Sequence, residues 1–265
     1  MESTSILGYF GALVIGFVLG LIGGGGSTLT VPILVYLLGY NPIIATAYSL
    51  FVVGTTSLVG TITKYNKGLV DIKTGLAFCF PSFLAVYITR RYLLTSIPDV
   101  LFSSGNFIIT KSMSIMVFFA AIMVIASISM IKNKTNNINI TPKQPYYKTF
   151  IQGLIIGTIT GLIGAGGGFL YVPALVLWSK IPIKKAVGTS LIIVTINSLI
   201  GFLGDVQTIT IQWEFLVIFT LISIIGIFLG TYLSKYISST KLKKAFGIFI
   251  LLMAVFIMIK EIQLT

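Results

Sequence analysis

Gly23, Gly24, Gly25 and Gly26, followed at once by Ser27 and Thr28, bring together backbone amides and hydroxyls of the kind that hold an anion. Consecutive glycines weaken a helix and admit positive φ, so a helix entering such a run is expected to break and restart. The restarted piece opens with unpaired N–H groups and the positive end of its dipole. Together these hold negative charge without a cationic side chain. A second run, Gly164, Gly166, Gly167 and Gly168, stands 141 residues later. Gly168, Phe169 and Tyr171 occupy the places of Ser27, Thr28 and Thr30, so the two runs are not chemically equal. The competing explanation is that the glycines only let helices pack closely.

Further polar candidates follow each run. They are Ser49, Thr55, Thr56 and Ser57 in the first case, and Thr189, Ser190, Thr195, Asn197 and Ser198 in the second. Asn197 is the most suggestive, because an amide in an apolar helix is costly unless paired. A lone Ser or Thr more often bonds back to its own turn or joins two helices. The substrate-binding set is therefore Gly23, Gly24, Gly25, Gly26, Ser27, Thr28, Ser49, Gly164, Gly166, Gly167, Gly168, Ser190 and Asn197. A buried acid could carry a coupling proton, but Asp71, Asp99, Asp205 and Glu214 all fall near segment ends and read as solvated groups. With no histidine and one cysteine, neither a soft-metal ligand set nor a Ser-His-Asp or Cys-His arrangement can be assembled. The glycine runs lack the Lys-Ser/Thr of a nucleotide loop. No metal, cofactor or catalytic role is expected.

The elements that carry these residues are written twice. GLIGGGGSTLTVP (Gly20–Pro32) returns as GLIGAGGGFLYVP (Gly161–Pro173). The same offset aligns Ala45, Ser49, Leu50, Val53, Ser57 and Gly60 with Ala186, Ser190, Leu191, Val194, Ser198 and Gly201. Shared hydrophobicity alone would not keep glycines and a proline in register, so the chain reads as a tandem duplication.

Composition puts both copies in a lipid bilayer. Only 9% of residues are charged against 56% hydrophobic, where soluble domains carry about 25% charged residues. Residues 3–63 hold no Asp, Glu, Lys or Arg at all. Eight apolar segments emerge, each expected to be helical because backbone polar groups must be paired in lipid. They are about Ile6–Leu38, Ala45–Thr63, Leu69–Thr89, Phe107–Ile131, Thr149–Ser179, Ala186–Gly204, Phe215–Ser234 and Leu242–Ile259. The fold expected is an all-α integral membrane protein of two four-segment repeats. Residues 1–131 and 149–265 form the repeats, and a polar linker at 132–148 joins them within one membrane domain. The net charge of +12 lies in loops, with no basic stripe for nucleic acid.

The first and fifth segments are too long for one straight span and too short for two. If all eight segments cross, the basic residues split ten against eight, and the copies share one orientation. If the two glycine segments are re-entrant, the split is fourteen against four, with Arg90, Arg91, Lys111 and Lys260 outside, and the copies are inverted. The positive-inside bias favours the second arrangement. Both put the termini outside.

The duplicated GLIGxGGGxxxVPxL and the following A-x-x-(Y/T)-S-L resemble the TauE/SafE family of membrane proteins, the sulfite exporters. PSFLAVYITRRYL (Pro81–Leu93) and IGIFLGTYLSKYI (Ile225–Ile237) look like the family's third segments. Ala85 and Thr89 stand where the second copy keeps Gly226 and Gly230, and Tyr48 stands opposite Thr189. The resemblance implies secondary transport of a small sulfur-containing anion (sulfite, thiosulfate or an organosulfonate) across a bacterial inner membrane, with a proton or other ion as a possible coupling partner. An anion channel and a non-transporting scaffold or accessory subunit are the alternatives.

Overall fold

A computed structural model describes residues 2–104, 107–132, 146–164, 166–179, 181–207 and 209–264. Most of the linker expected at 132–148 lies outside the described residues. Helix α1 (Glu2–Ile22) ends at the first glycine run, and α2 (Ser27–Leu37) restarts beyond it. Then come α3 (Pro42–Tyr65), α4 (Ile72–Ser96), the strands β1 (Val100–Ser104) and β2 (Phe107–Thr110), and α5 (Lys111–Lys132). The second half holds α6 (Tyr146–Ile163), α7 (Gly168–Leu177), α8 (Ile183–Asp205), α9 (Trp213–Leu233) and α10 (Ser239–Leu264). By length and composition, α3, α4, α5, α8 and α9 can each cross a bilayer. Exposed apolar side chains such as Leu221, Ile225, Phe228 and Leu229 on α9 would be unstable in water and suit lipid.

Two segment boundaries differ from expectation. The fourth segment does not begin as helix at Phe107: Phe107–Thr110 pairs antiparallel with Val100–Ser104, and helix starts at Lys111. The third segment continues past Thr89 through a wide π turn, Thr89–Leu93, to Ser96. Start signals account for the sharper edges. The Asn41 side chain accepts from Ile43 N–H at 2.9 Å, with Pro42 opening α3. Asp71 is a cap for α4, accepting from Thr74 N–H at 3.2 Å, rather than merely a solvated end.

Small residues fix how the helices lie. Side chains added at Gly8, Gly11 and Gly26 would meet Leu38, Ile33 and Ile15 respectively, so α2 folds back along α1 as a hairpin with the glycine run at its tip. Gly16 and Gly20 sit against Ser223 and Ile227, which makes α1 parallel to α9. Gly157 and Gly161 sit against Ser82 and Val86, which makes α6 parallel to α4. At the centre α3 and α8 cross antiparallel, with Gly54 against Leu199, Gly60 against Leu191 and Gly201 against Leu50. These contacts recur with the halves exchanged. Gly16 meets Ser223 as Gly157 meets Ser82, the same offset along the chain. Asp71 N–H donates to Thr189 Oγ1 at 2.8 Å, and Gln212 N–H donates to Tyr48 Oη at 2.8 Å. The Tyr48/Thr189 difference is thus a change of side chain that keeps one job: catching the N–H of the loop from the other half.

Candidate anion-binding site

Each hairpin tip is made by its glycines. Gly23 (φ 79°) ends α1, and Gly164 (φ 68°) ends α6. Both hold left-handed backbone that a side chain would strain. Gly24–Gly26 then form a single tight turn before α2, whereas Gly166 and Gly167 both keep positive φ before α7. Neither α2 nor α7 receives a side-chain cap at its start. The two tips touch. A Cβ on Gly24 would overlap the backbone of Gly168, and one on Gly168 would overlap Gly24. Only glycine on both sides permits this approach.

The central helices cradle the tips reciprocally. A Cβ on Gly23 would lie 3.0 Å from Ser190 Oγ and from the Val187 carbonyl. Gly164 lies against Thr46, the residue equivalent to Val187 in the first half. A side chain at Gly166 would come within 2.7 Å of Ser198 Oγ and 2.8 Å of Val53. The structure therefore brings Gly23, Gly24, Gly164, Gly166, Gly168 and Ser190 together where the tips meet α3 and α8. Gly25, Gly26 and Gly167 complete the tip turns, with Gly167 against Thr160.

The hydroxyls divide into two groups. Ser27 Oγ donates to Gly24 O at 2.5 Å, Thr30 Oγ1 to Gly26 O at 3.3 Å and Ser190 Oγ to Val187 O at 2.9 Å. These protons are spent on their own turns, so Ser27 and Ser190 must rotate before either can donate to a ligand. Thr28 is buried in the same turn of α2. By contrast Ser49, Thr56, Ser57, Ser198 and Ser223 are buried with no hydrogen-bond partner for their hydroxyls. An unmade hydrogen bond on a buried hydroxyl costs about 1–3 kcal/mol. Three of these hydroxyls lie on α3, one on α8 and one on α9, each free to bond a polar ligand.

Asn197 anchors the second side. Its Nδ2 donates to Ser82 Oγ at 2.7 Å and to Tyr171 Oη at 2.5 Å, Ser82 and Tyr171 bond each other closely, and Asn197 Oδ1 has no partner. The repeat-equivalent positions are Thr56, Ser223 and Thr30. There the smaller hydroxyls of Thr56 and Ser223 stay unpaired. The larger Asn197 and Tyr171 thus bond Ser82 on the second side, whereas Thr56 and Ser223 bond nothing on the first.

One pair escaped sequence reasoning. Arg90 is 1% exposed and is not a loop charge; it lies in the π turn of α4, where its Nη2 sits 2.5 Å from Asp205 Oδ2 and its Nε 2.9 Å away. Its guanidinium also reaches Thr46 Oγ1 at 3.2 Å and Gly161 O at 3.4 Å. Asp205, read above as a solvated end, is a buried ion-pair partner at the end of α8. Lys64, its equivalent at the end of α3, is also buried and donates to Ser234 Oγ at 2.9 Å. Among the described residues no cluster of His, Cys, Asp or Glu could hold a metal ion.

Comparison with known proteins agrees on kind. The family profile described as "Sulfite exporter TauE/SafE" matches residues 9–257. The chain is 27% identical over 255 residues to a "Probable membrane transporter protein" of Xylella fastidiosa, covering 92% of this chain and 91% of that one. It is 29% identical over 230 residues to the "Probable membrane transporter protein YunE" of Bacillus subtilis, covering 76% and 78%. A probable membrane transporter protein of Methanocaldococcus jannaschii is 38% identical over 112 residues, covering 40% and 42%. No solved structure matches the chain significantly.

Proposed function

The chain belongs to the sulfite exporter TauE/SafE family of membrane transporters, and we propose that it is a secondary transporter of a small sulfur-containing oxyanion such as sulfite, thiosulfate or an organosulfonate. The observation that carries this is the contact of two uncapped glycine tips, Gly24 on Gly168, beside buried hydroxyls with no partner. Backbone N–H groups of Gly23–Gly26 and Gly164–Gly168 would bind the anion, with Ser27, Thr28, Ser49, Ser190 and Asn197 as its polar surround. The chemistry favours an oxyanion, whose several acceptor oxygens suit a ring of N–H and O–H donors; the family supplies the sulfur.

The proposed architecture is eight segments in two inverted repeats, with α1–α2 and α6–α7 re-entrant. It is supported by the opposite directions of α3 and α8 and by the exchanged contacts between halves. Such repeats allow alternating access, in which one bundle rocks against the other about a fixed central site. In this arrangement the protein sits in a bacterial inner membrane, with its termini outside and the 132–148 linker inside.

Uptake into proteoliposomes tests the function, using sulfite, sulfate, thiosulfate and an organosulfonate with and without a pH gradient. Saturable uptake of a sulfur oxyanion that shows counter-transport is expected. Inert vesicles, or unsaturable current, would overturn the proposal. Cysteine labelling within residues 132–148 checks the architecture, because an outside linker is incompatible with inverted repeats.

A further inference from the structure

A cavity of about 250 Å³ opens where the end of α3 meets the end of α9. Its walls include Lys64, Lys67, Lys184 and Lys235, and among the described residues no carboxylate lines it. Among the described residues none of the four lysines has an ion-pair partner. Lys64 is only 3% exposed, and its ammonium gives one of three donors to Ser234 Oγ. An ammonium taken out of water without a counter-charge is costly, and a bound anion is the natural compensation. An independent observation points the same way: Thr231, also on the cavity wall, is 2% exposed and its hydroxyl has no partner.

The cavity also touches the tip of the first hairpin. Val187 lines it, and the same residue lies against Gly23; Leu21, in the last turn of α1, forms another wall. A ligand held by the lysines is therefore one residue layer from the glycine site. We propose that this lysine cavity is a distinct oxyanion-binding vestibule, taking a sulfonate-, sulfate- or phosphate-type group before the glycine tips do. The location as an antechamber rests on the transport reading above, but the binding chemistry does not. A free oxyanion and a lipid headgroup phosphate share that chemistry.

Equilibrium binding of radiolabelled sulfate and thiosulfate to the full chain in nanodiscs tests it, in neutral phosphatidylcholine alone and with phosphatidylglycerol added. The three more accessible lysines are removed together as Lys67→Gln, Lys184→Gln and Lys235→Gln. The fold should tolerate this triple change, and an unchanged Tm checks that. In neutral discs binding should weaken at least tenfold and lose its steep salt dependence. Phosphatidylglycerol should compete in the wild type only if lipid phosphate reaches the same lysines. Gly166→Val separates the two sites: it should remove transport yet keep lysine-dependent binding. Wild-type binding by the triple variant, or the absence of measurable binding by the wild type in either disc, overturns the vestibule. Loss of binding in Gly166→Val with full binding in the triple variant leaves the tip site standing and removes the vestibule.

Discussion

The two ends of the central helix pair are built on equivalent residues and finished in opposite ways. At one end Asp205 closes on Arg90, and the guanidinium also holds Thr46 and Gly161, filling the space beside the second hairpin tip. At the other end Lys64 stands in Asp205's place and Thr231 in Arg90's, and an open lysine-lined cavity remains beside the first tip. One mouth is neutralised and shut; the other is cationic and accessible. The difference teaches that positions 141 residues apart can hold the same place at the two ends of the helix pair and still differ in charge: Asp205 against Lys64, and Arg90 against Thr231. If the protein transports as proposed, alternating access would have to open the Arg90–Asp205 end.

Breaking the shut mouth should have the largest effect. Arg90→Ala removes the buried guanidinium that neutralises Asp205, at an expected cost of about 3–5 kcal/mol, read as a fall in Tm of the purified protein in detergent. Arg90→Met combined with Asp205→Leu should recover most of that loss, since no buried charge is left. Lys64→Met, at the other mouth, strands no opposite charge and should change stability by under about 1 kcal/mol. Equal losses from Arg90→Ala and Lys64→Met would show that the two mouths are not different in kind.

The tips themselves come next. Gly24→Ala and Gly168→Ala each place a methyl into the backbone of the opposing tip. Overpacking of this sort costs about 1–3 kcal/mol, and uptake in proteoliposomes should fall by at least tenfold while membrane insertion persists. Because the contact is shared, the two substitutions should behave alike although they sit in unequal runs. A silent Gly168→Ala would confine the function to the first tip.

A smaller effect separates the two sides of the polar region. Asn197→Leu removes two donated hydrogen bonds but leaves Ser82 and Tyr171 bonded to each other. Interhelical hydrogen bonds in membranes average about 0.6 kcal/mol and reach about 1.7, so a loss in that range is expected by thermal unfolding. Thr56→Val at the equivalent position removes an unpaired hydroxyl and should cost nothing in stability while weakening uptake. A larger stability loss at Thr56 than at Asn197 would reverse the assignment of bonded and unbonded sides.

What the sequence disclosed follows the same division. The hairpin tips were legible because glycine is demanded at fixed positions in both halves, so Gly23 and Gly164 repeat without a gap. The Arg90–Asp205 pair was not, because it joins position 90 of one copy to position 205 of the other, and neither residue recurs in its counterpart. Only three-dimensional juxtaposition distinguishes such a pair from two loop charges. The β1–β2 hairpin was hidden by its own apolarity. Phe107–Thr110 continues the hydrophobicity of α5, and a short apolar run can be either strand or helix.

Lys67 gives the finest test of the cationic mouth. Partial burial and then the neighbouring Lys235 charge hold its ammonium below the usual lysine range. Its charged form is therefore favoured less than in a free lysine, and a bound oxyanion would favour it again. Sulfate affinity should be full at neutral pH and decline as pH rises through the Lys67 titration, earlier than for an ordinary exposed lysine. Lys67→Arg keeps its charge throughout that range and should flatten the early part of the decline. Identical pH profiles for wild type and Lys67→Arg would mean that Lys67 does not face the anion, and that the charge difference between the mouths rests on Lys64, Lys184 and Lys235 alone.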